Sequence, residues 1–158
     1  MVRPDPGTEL LRRAGLRVTV PRVRVLRALA ERPHAAAEDV IDAVRTGLGP
    51  VSTQGVYDVL RACCEVGIVR RIQPAGGPAR YELRVGDNHH HLVCRRCDSV
   101  GDVDCAVGGA PCLEPSDRRG FDVDEAEVVF WGICAECRAQ DANRRADRTG
   151  RSRSRTPP

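Results

Sequence analysis

Aromatic side chains make up only 3% of the 158 residues, there is a single methionine, and lysine is absent, so all 25 basic residues are Arg. The shortage of rings means that burial has to come from aliphatic side chains. Without lysine, every permanently cationic side chain is a guanidinium. Nowhere does an apolar run reach the roughly 18 residues that a membrane-spanning helix needs. The opening "MVRPDPGTELLRR" has no apolar segment after its charges to serve as a secretory signal, which leads us to expect a soluble, cytoplasmic protein. No general acid–base pair and no nucleophile–base motif stands out, so an enzyme is not expected.

Cysteine, by contrast, is plentiful. Eight would suit a disulfide framework in a secreted chain. In a reducing compartment, such pairs bind metal or do redox work. The length allows one ordinary domain or two small ones.

Charge is unevenly placed. Residues 1–84 carry 14 Arg against 9 acids, residues 85–137 carry 4 against 11, and residues 138–158 carry 7 against 2. The net charges are therefore +5, −7 and +5. A basic part joined to an acidic one suits contact with a polyanion by the first, although two solvated faces would look the same.

The first part has helical periodicity. "TELLRRAGLRVTVPRVRVLRALAERP" contains two short helices, the first closing at Gly15 and the second opening near Pro21, with Val23, Leu26, Leu29 and Ala30 at helical spacing. A third helix in "AAEDVIDAVRTGLG" buries Val40, Ile41 and Val44. A fourth, capped by Ser52 or Thr53, buries Val56, Val59, Leu60, Cys63 and Cys64 and stops at Gly67. The β-type runs that follow flank a Pro-Gly-Gly-Pro turn, the mark of a hairpin. Together these elements predict a winged helix-turn-helix, in which the fourth helix enters the major groove; a generic helical bundle with a hairpin is the alternative. From residue 88 the chain changes to strands in "HHLVCRRCDSVGDVD" and "DEAEVVFWGICAEC", separated by a Gly- and Pro-rich stretch mixing loop with a short helix. The fold expected is α+β: a winged-helix domain over 1–84, a small α/β domain over 85–137, and an Arg-rich tail over 138–158 too poor in apolar residues to order.

Two CxxC pairs, Cys94/Cys97 and Cys134/Cys137, stand about forty residues apart. Each knuckle can present two thiolates from one turn, and four thiolates around one ion make a closed, tetrahedral, structural zinc site. A redox dithiol, or two cysteine pairs without a ligand, are the alternatives. Cys63 and Cys64 belong to the expected core; Cys105 and Cys112 have no assignment. In "HHHLVC" alternation on a strand turns His89 and His91 to one side and His90 to the other. Two imidazoles on one face, completed by oxygen donors, suit a borderline ion such as iron(II), manganese(II) or zinc(II).

The segments "LRVTVPRVRVL", "HAAAEDV", "GVYDVLRACCEVGIV", "YEL" and "HHHLVCRRCDSVGDVD", with the later CxxC, resemble the ferric uptake regulator (Fur) family of bacterial metal-dependent repressors over roughly residues 8–137. "VGDVDCAVGGAPCL" and "EAEVVFWGIC" look most like an actinobacterial branch (FurA/CatR) associated with catalase-peroxidase control and peroxide response. The resemblance implies a homodimer on a pseudo-palindromic operator, repressing such genes and its own, with structural Zn(2+) and regulatory Fe(2+) or Mn(2+). Carried over residue by residue, it implies a regulatory metal held by His34, Glu82, His89, His91 and Asp102. Tyr57 is then the candidate for base-edge contact, and Arg22, Arg61, Arg70 and Arg71 for phosphates. In the family, Asp at the position of Asp102 goes with peroxide sensing, whereas Glu at that of Glu82 is the iron-sensor choice. A further metal site of many relatives requires histidines where this chain has Asn88 and Ala126, so it is expected to be absent here, with His90 at the surface. The family's usual Ala-Thr before Val-Tyr is replaced by Gln54-Gly55.

Other readings remain at this stage, among them a metal-storage or chaperone protein, which would not need the basic helix–hairpin half. An iron-responsive regulator of metal homeostasis would use the same ligands without sensing peroxide. A CxxC thiol oxidoreductase would need a pair at a helix N-terminus in a βαβ pattern, and Cys94–Cys97 follows a strand instead.

Overall fold

A computed structural model describes residues 5–74, 76–83, 85, 87, 89–105, 113–123 and 126–153, with residues 145–153 described as backbone alone. The chain forms two compact units, Met1–Asp87 and Asn88–Pro158.

In the first unit, helices α1 (Pro6–Arg13), α2 (Val20–Glu31), α3 (Ala37–Leu48) and α4 (Thr53–Glu65) accompany three short strands, β1 (Ala35–Ala36), β2 (Arg70–Ile72) and β3 (Arg80–Glu82). Local chemistry sets the helix boundaries. Asp5 and Thr19 cap α1 and α2, each helix having a proline in its first turn. Ser52 Oγ accepts from Gly55 N at 3.0 Å to open α4. Gly55 suits that cap, because a Cβ there would stand 2.9 Å from Ser52 Oγ. Gly15 and Gly67 end their helices with φ of 70° and 71°, where a side chain would be strained.

The antiparallel sheet has the order β1-β3-β2, with Arg71 opposite Tyr81 and Ala35 opposite Tyr81 on the other edge. Helices in this order followed by a two-stranded wing form the winged helix-turn-helix expected from the sequence. Its core is aliphatic: Leu11, Val25, Leu26, Leu29, Val40, Val44, Val56 and Leu60 are each 1% exposed or less. Cys63 shares that core, and burial pushes its thiol up to about 11, so it behaves as a small apolar side chain. Replacing Leu60 by Ala removes a side chain from the middle of this cluster. Denaturant unfolding should show a loss of about 2–5 kcal/mol; a loss under about 1 kcal/mol would mean that the core does not close around α4.

In the second unit β4 (His89–Cys94) is the central strand, antiparallel to β5 (Val100–Asp104) and parallel to β6 (Val129–Gly132). The strand expected through "ICAEC" stops at Gly132, and Ala135 opens helix α5, which runs to Arg153. Of the tail expected to be disordered over 138–158, residues up to Arg153 belong to this helix and residues 154–158 lie outside the described residues. A low apolar content excludes a packed core, but it does not exclude a helix: Ala, Arg and Gln favour helix locally. The start of α5 is also held by Arg96, whose guanidinium pairs with Asp141 and donates to the Cys137 carbonyl at 3.3 Å. Of the Gly- and Pro-rich segment, residues 106–112, including Cys112, lie outside the described residues, and 113–121 form bends and turns.

Candidate metal centres and nucleic-acid interface

The strand β4 ends at Cys94 and a tight turn brings Cys97 back beside it, while Cys134 and Cys137 sit at the start of α5. One sulfur from each of the four cysteines lies within 4.8 Å of the others. Cys97 and Cys134 have their sulfurs 3.7 Å apart. That is far beyond the roughly 2.05 Å of a disulfide and close to the spacing of about 3.8 Å that zinc–sulfur bonds near 2.3 Å impose in a tetrahedron. Backbone N–H groups turn inward as well. Cys134 N donates to Cys94 Sγ at 3.3 Å, and Cys137 N donates to Cys134 Sγ at 3.4 Å, so Cys134 caps α5 through sulfur.

These donors, Cys134 N first and then those of Cys97 and Arg96, hold the Cys94 thiol down at about 6. The neighbouring Ser99 lowers Cys97. Burial instead pushes Cys137 up to about 12, so four thiolates together call for a cation among them. The donor set thus fits zinc(II), and the N-terminal position of the second knuckle on α5 is a feature that the strand reading missed.

The histidines of β4 alternate as the sequence implies. His89 and His91 have ring centroids 5.0 Å apart, and each presents Nε2 at 3.8 Å from the same Asp102 oxygen on β5. The register explains the convergence, since Asp102 pairs directly with His91 and Asp104 with His89. His91 and His89 are 1% and 2% exposed. Glu127, which sequence reasoning did not single out, stands with Oε1 3.5 Å from His91 Nδ1. His90 points the other way, and the expectation that it lies at the surface is wrong: it is buried, with its ring 6.3 Å from that of Phe130. Being next to Leu92 on a three-stranded sheet, it gains a neighbour from β6 that strand alternation alone does not reveal. Asn88 lies outside the described residues. Ala126 is described and offers no donor.

In the first unit, His34 and Glu82 form a second polar pair. His34 Nε2 is 2.9 Å from Glu82 Oε2, and both side chains are buried. The backbone of His34 is left-handed, with φ 60°, a conformation that costs on the order of 1–3 kcal/mol for a residue with a side chain. Arg80 Nη1 donates to the His34 carbonyl at 3.0 Å and steadies that turn. A buried carboxylate beside an imidazole, held on a strained turn, is a donor pair suited to a divalent ion.

The residues expected at nucleic acid all lie in the first unit. Tyr57 is exposed on α4 with its hydroxyl 3.4 Å from Glu38, whose charge raises the Tyr57 pKa. Arg61 is exposed three residues after Asp58 and pairs with it at 3.2 Å. Arg22, on α2, donates to the Arg17 carbonyl at 2.9 Å. Arg70 and Arg71 stand on β2 of the wing, with Arg71 donating to Gln73 at 2.6 Å.

This arrangement has counterparts among known proteins. The model of the ferric uptake regulator family matches residues 13–131. The transcriptional regulator FurA of Mycobacterium tuberculosis is 59% identical over 136 residues, spanning 86% of this chain and 92% of that protein. The ferric uptake regulator of Pseudomonas aeruginosa, solved with manganese, superposes with a TM-score of 0.64 at 32% identity, over 82% of this chain and 98% of that one. The Vibrio cholerae ferric uptake regulator, whose structure reveals rearrangement of its DNA-binding domains, gives a TM-score of 0.64 at 29% identity, over 80% of this chain and 98% of that one. With a family match across most of its length and a close relative that regulates transcription, the chain belongs to the ferric uptake regulator family of transcriptional regulators.

Proposed function

We propose that the protein is a metal-dependent, DNA-binding repressor that carries one structural zinc(II) and one regulatory iron(II) or manganese(II) per subunit and responds to peroxide. The observation that carries this reading is the presence of two donor sets of different softness: four cysteine sulfurs in one cluster, and imidazoles with carboxylates elsewhere. Closed thiolate sites serve structure, whereas mixed nitrogen and oxygen donors hold ions that exchange.

The regulatory ligands are His34 and Glu82 from the first unit and His89, His91 and Asp102 from the second. An ion that takes donors from both units favours whichever arrangement satisfies them all, and its differential affinity becomes a preference for one relation of the units. In a dimer, that preference sets whether the two α4 helices reach successive major grooves about 34 Å apart. Leu92 on β4, paired in register with Phe130 on β6, gives the second sheet an exposed apolar face that suits such a dimer. Tyr57 supplies the base-edge contact, and Arg22, Arg61, Arg70 and Arg71 the phosphate contacts. The operator is pseudo-palindromic, and the genes controlled are those of catalase-peroxidase and of the regulator itself.

Iron(II) in this donor set would supply the electrons for reducing peroxide, and the imidazoles of His34 and His89, as its ligands, would be the side chains within reach of the oxidant formed. Oxygen added to the ring of His34 or His89 removes a ligand, and the metal-dependent arrangement is lost. The test compares DNA affinity of the iron- and manganese-loaded protein before and after brief peroxide treatment, with mass spectrometry of the peptides. The iron form should gain oxygen on His34 or His89 and lose its operator, while the manganese form keeps both. Unmodified histidines with binding lost through oxidised cysteines would replace this reading by a thiol switch. Iron-dependent binding indifferent to peroxide would leave the iron-sensor reading that Glu82 favours.

A further inference from the structure

From its first turn α4 carries a hydrogen-bonded chain along one side, two members of which, Gln54 and Asp58, have no role among the residues assigned so far. Gln54, the second residue of the helix, is exposed and donates from Nε2 to Asp58 Oδ1 at 3.0 Å. Arg61 Nη2 donates to that same oxygen at 3.2 Å. Residues 54, 58 and 61 follow the four- and three-residue steps of one helix stripe, and Tyr57 lies beside it.

The chemistry of this chain is directional. A carboxylate only accepts, so Asp58 takes the amide nitrogen of Gln54 and settles which end of the amide is oxygen. One N–H of the amide and its carbonyl oxygen are then left for another partner. A donor and an acceptor side by side match the N7 acceptor and the N6 amino group of adenine in the major groove. Arg61 balances the Asp58 charge, which would otherwise repel phosphates from the reading face.

We propose that Gln54 reads adenine in each half-site and that Asp58 is its positioning residue. The inference rests on α4 being the helix that enters the groove, where residues of the first turn reach base edges. It also gives a role to the Gln54-Gly55 pair: Gly55 keeps the Ser52 cap, and Gln54 brings the amide.

The test is selection of duplexes from a randomised pool by the full chain loaded with zinc and manganese, comparing wild type, Gln54→Ala, Asp58→Ala and Tyr57→Ala. Wild type should select one adenine, placed symmetrically in the two half-sites, that Gln54→Ala no longer prefers. Direct titration should show that preference falling by about 5- to 150-fold, with affinity for random DNA and the salt slope unchanged. Asp58→Ala should weaken the preference at the same position by a smaller factor, which a general loosening of the helix would not do. Gln54 faces solvent and Ala favours helix, so loss of folding does not confuse the result.

If Gln54→Ala selects the wild-type consensus, or loses preference evenly at every position, the inference is overturned. Tyr57→Ala then separates the two levels. A consensus altered by Tyr57→Ala leaves α4 as the reader and removes only the role of Gln54. A consensus altered by neither substitution, or no consensus from wild type, removes both.

Discussion

Cys97→Ser should take the zinc content from about one ion per subunit to near zero, and the dimer should be lost with it. The reason lies in how little else holds the second unit. The aliphatic cluster that stabilises the protein runs from Leu11 to Tyr81 and lies wholly within the first unit. Among the described residues of the second unit, the buried apolar side chains are Val93, Cys94 and Cys137, two of which belong to the cysteine cluster itself. A small unit without a core of its own depends on a metal or a partner. Structural zinc contributes an apparent 10–16 kcal/mol or so to the folding of comparable small sites near neutral pH.

The cysteine cluster joins the end of β4 to the start of α5, and Arg96, between the first two cysteines, pairs with Asp141 on that helix. Losing one thiolate opens the ion to water and releases this junction, so α5 should lose helicity as well. Metal analysis, sedimentation and circular dichroism measure the three consequences. A zinc-loaded dimer from this variant would remove the structural assignment. The wild-type protein stripped by a strong chelator should behave in the same way, and zinc should restore it.

Much of this centre was legible because its chemistry is local. Two CxxC knuckles name by spacing alone the four cysteines that the structure brings together, and strand alternation separates His89 and His91 from His90 without any knowledge of the sheet. The elements of the winged helix were legible for a related reason: caps such as Ser52 and stops such as Gly67 act within a few residues of themselves. What escaped the sequence is set by neighbours distant in the chain. That His90 is buried depends on β6 pairing in parallel with β4, and Glu127 comes beside His91 through the same strand. The helix α5 was missed because composition speaks to core formation, whereas its start depends on a sulfur cap and an arginine some forty residues earlier. His34 and Glu82 became candidates only through family resemblance. Nothing in periodicity announces a pair made by a left-handed turn before β1 and the last residue of β3.

His34→Ala and His91→Ala should each abolish metal-dependent DNA binding while leaving the zinc in place, and the double variant should be no worse than either. The two residues belong to different units and have no local reason to affect one another. Independent sites add their losses; two ligands of one ion do not, because the first substitution already removes what the second would cost. Loss of a ligand should exceed the 10- to 100-fold or so that substitutions around a metal's ligands cost. Manganese affinity is therefore expected to fall by more than about 100-fold in each single variant, with little further loss in the double. Melting temperature is the wrong measure here, since His34→Ala also removes the imidazole that stands against the buried Glu82 carboxylate, a local change separate from the metal. Competition titration of manganese, with zinc counted separately, avoids that confusion. Losses that multiply in the double variant would show two separate ions, and the regulatory assignment across the two units would have to be abandoned.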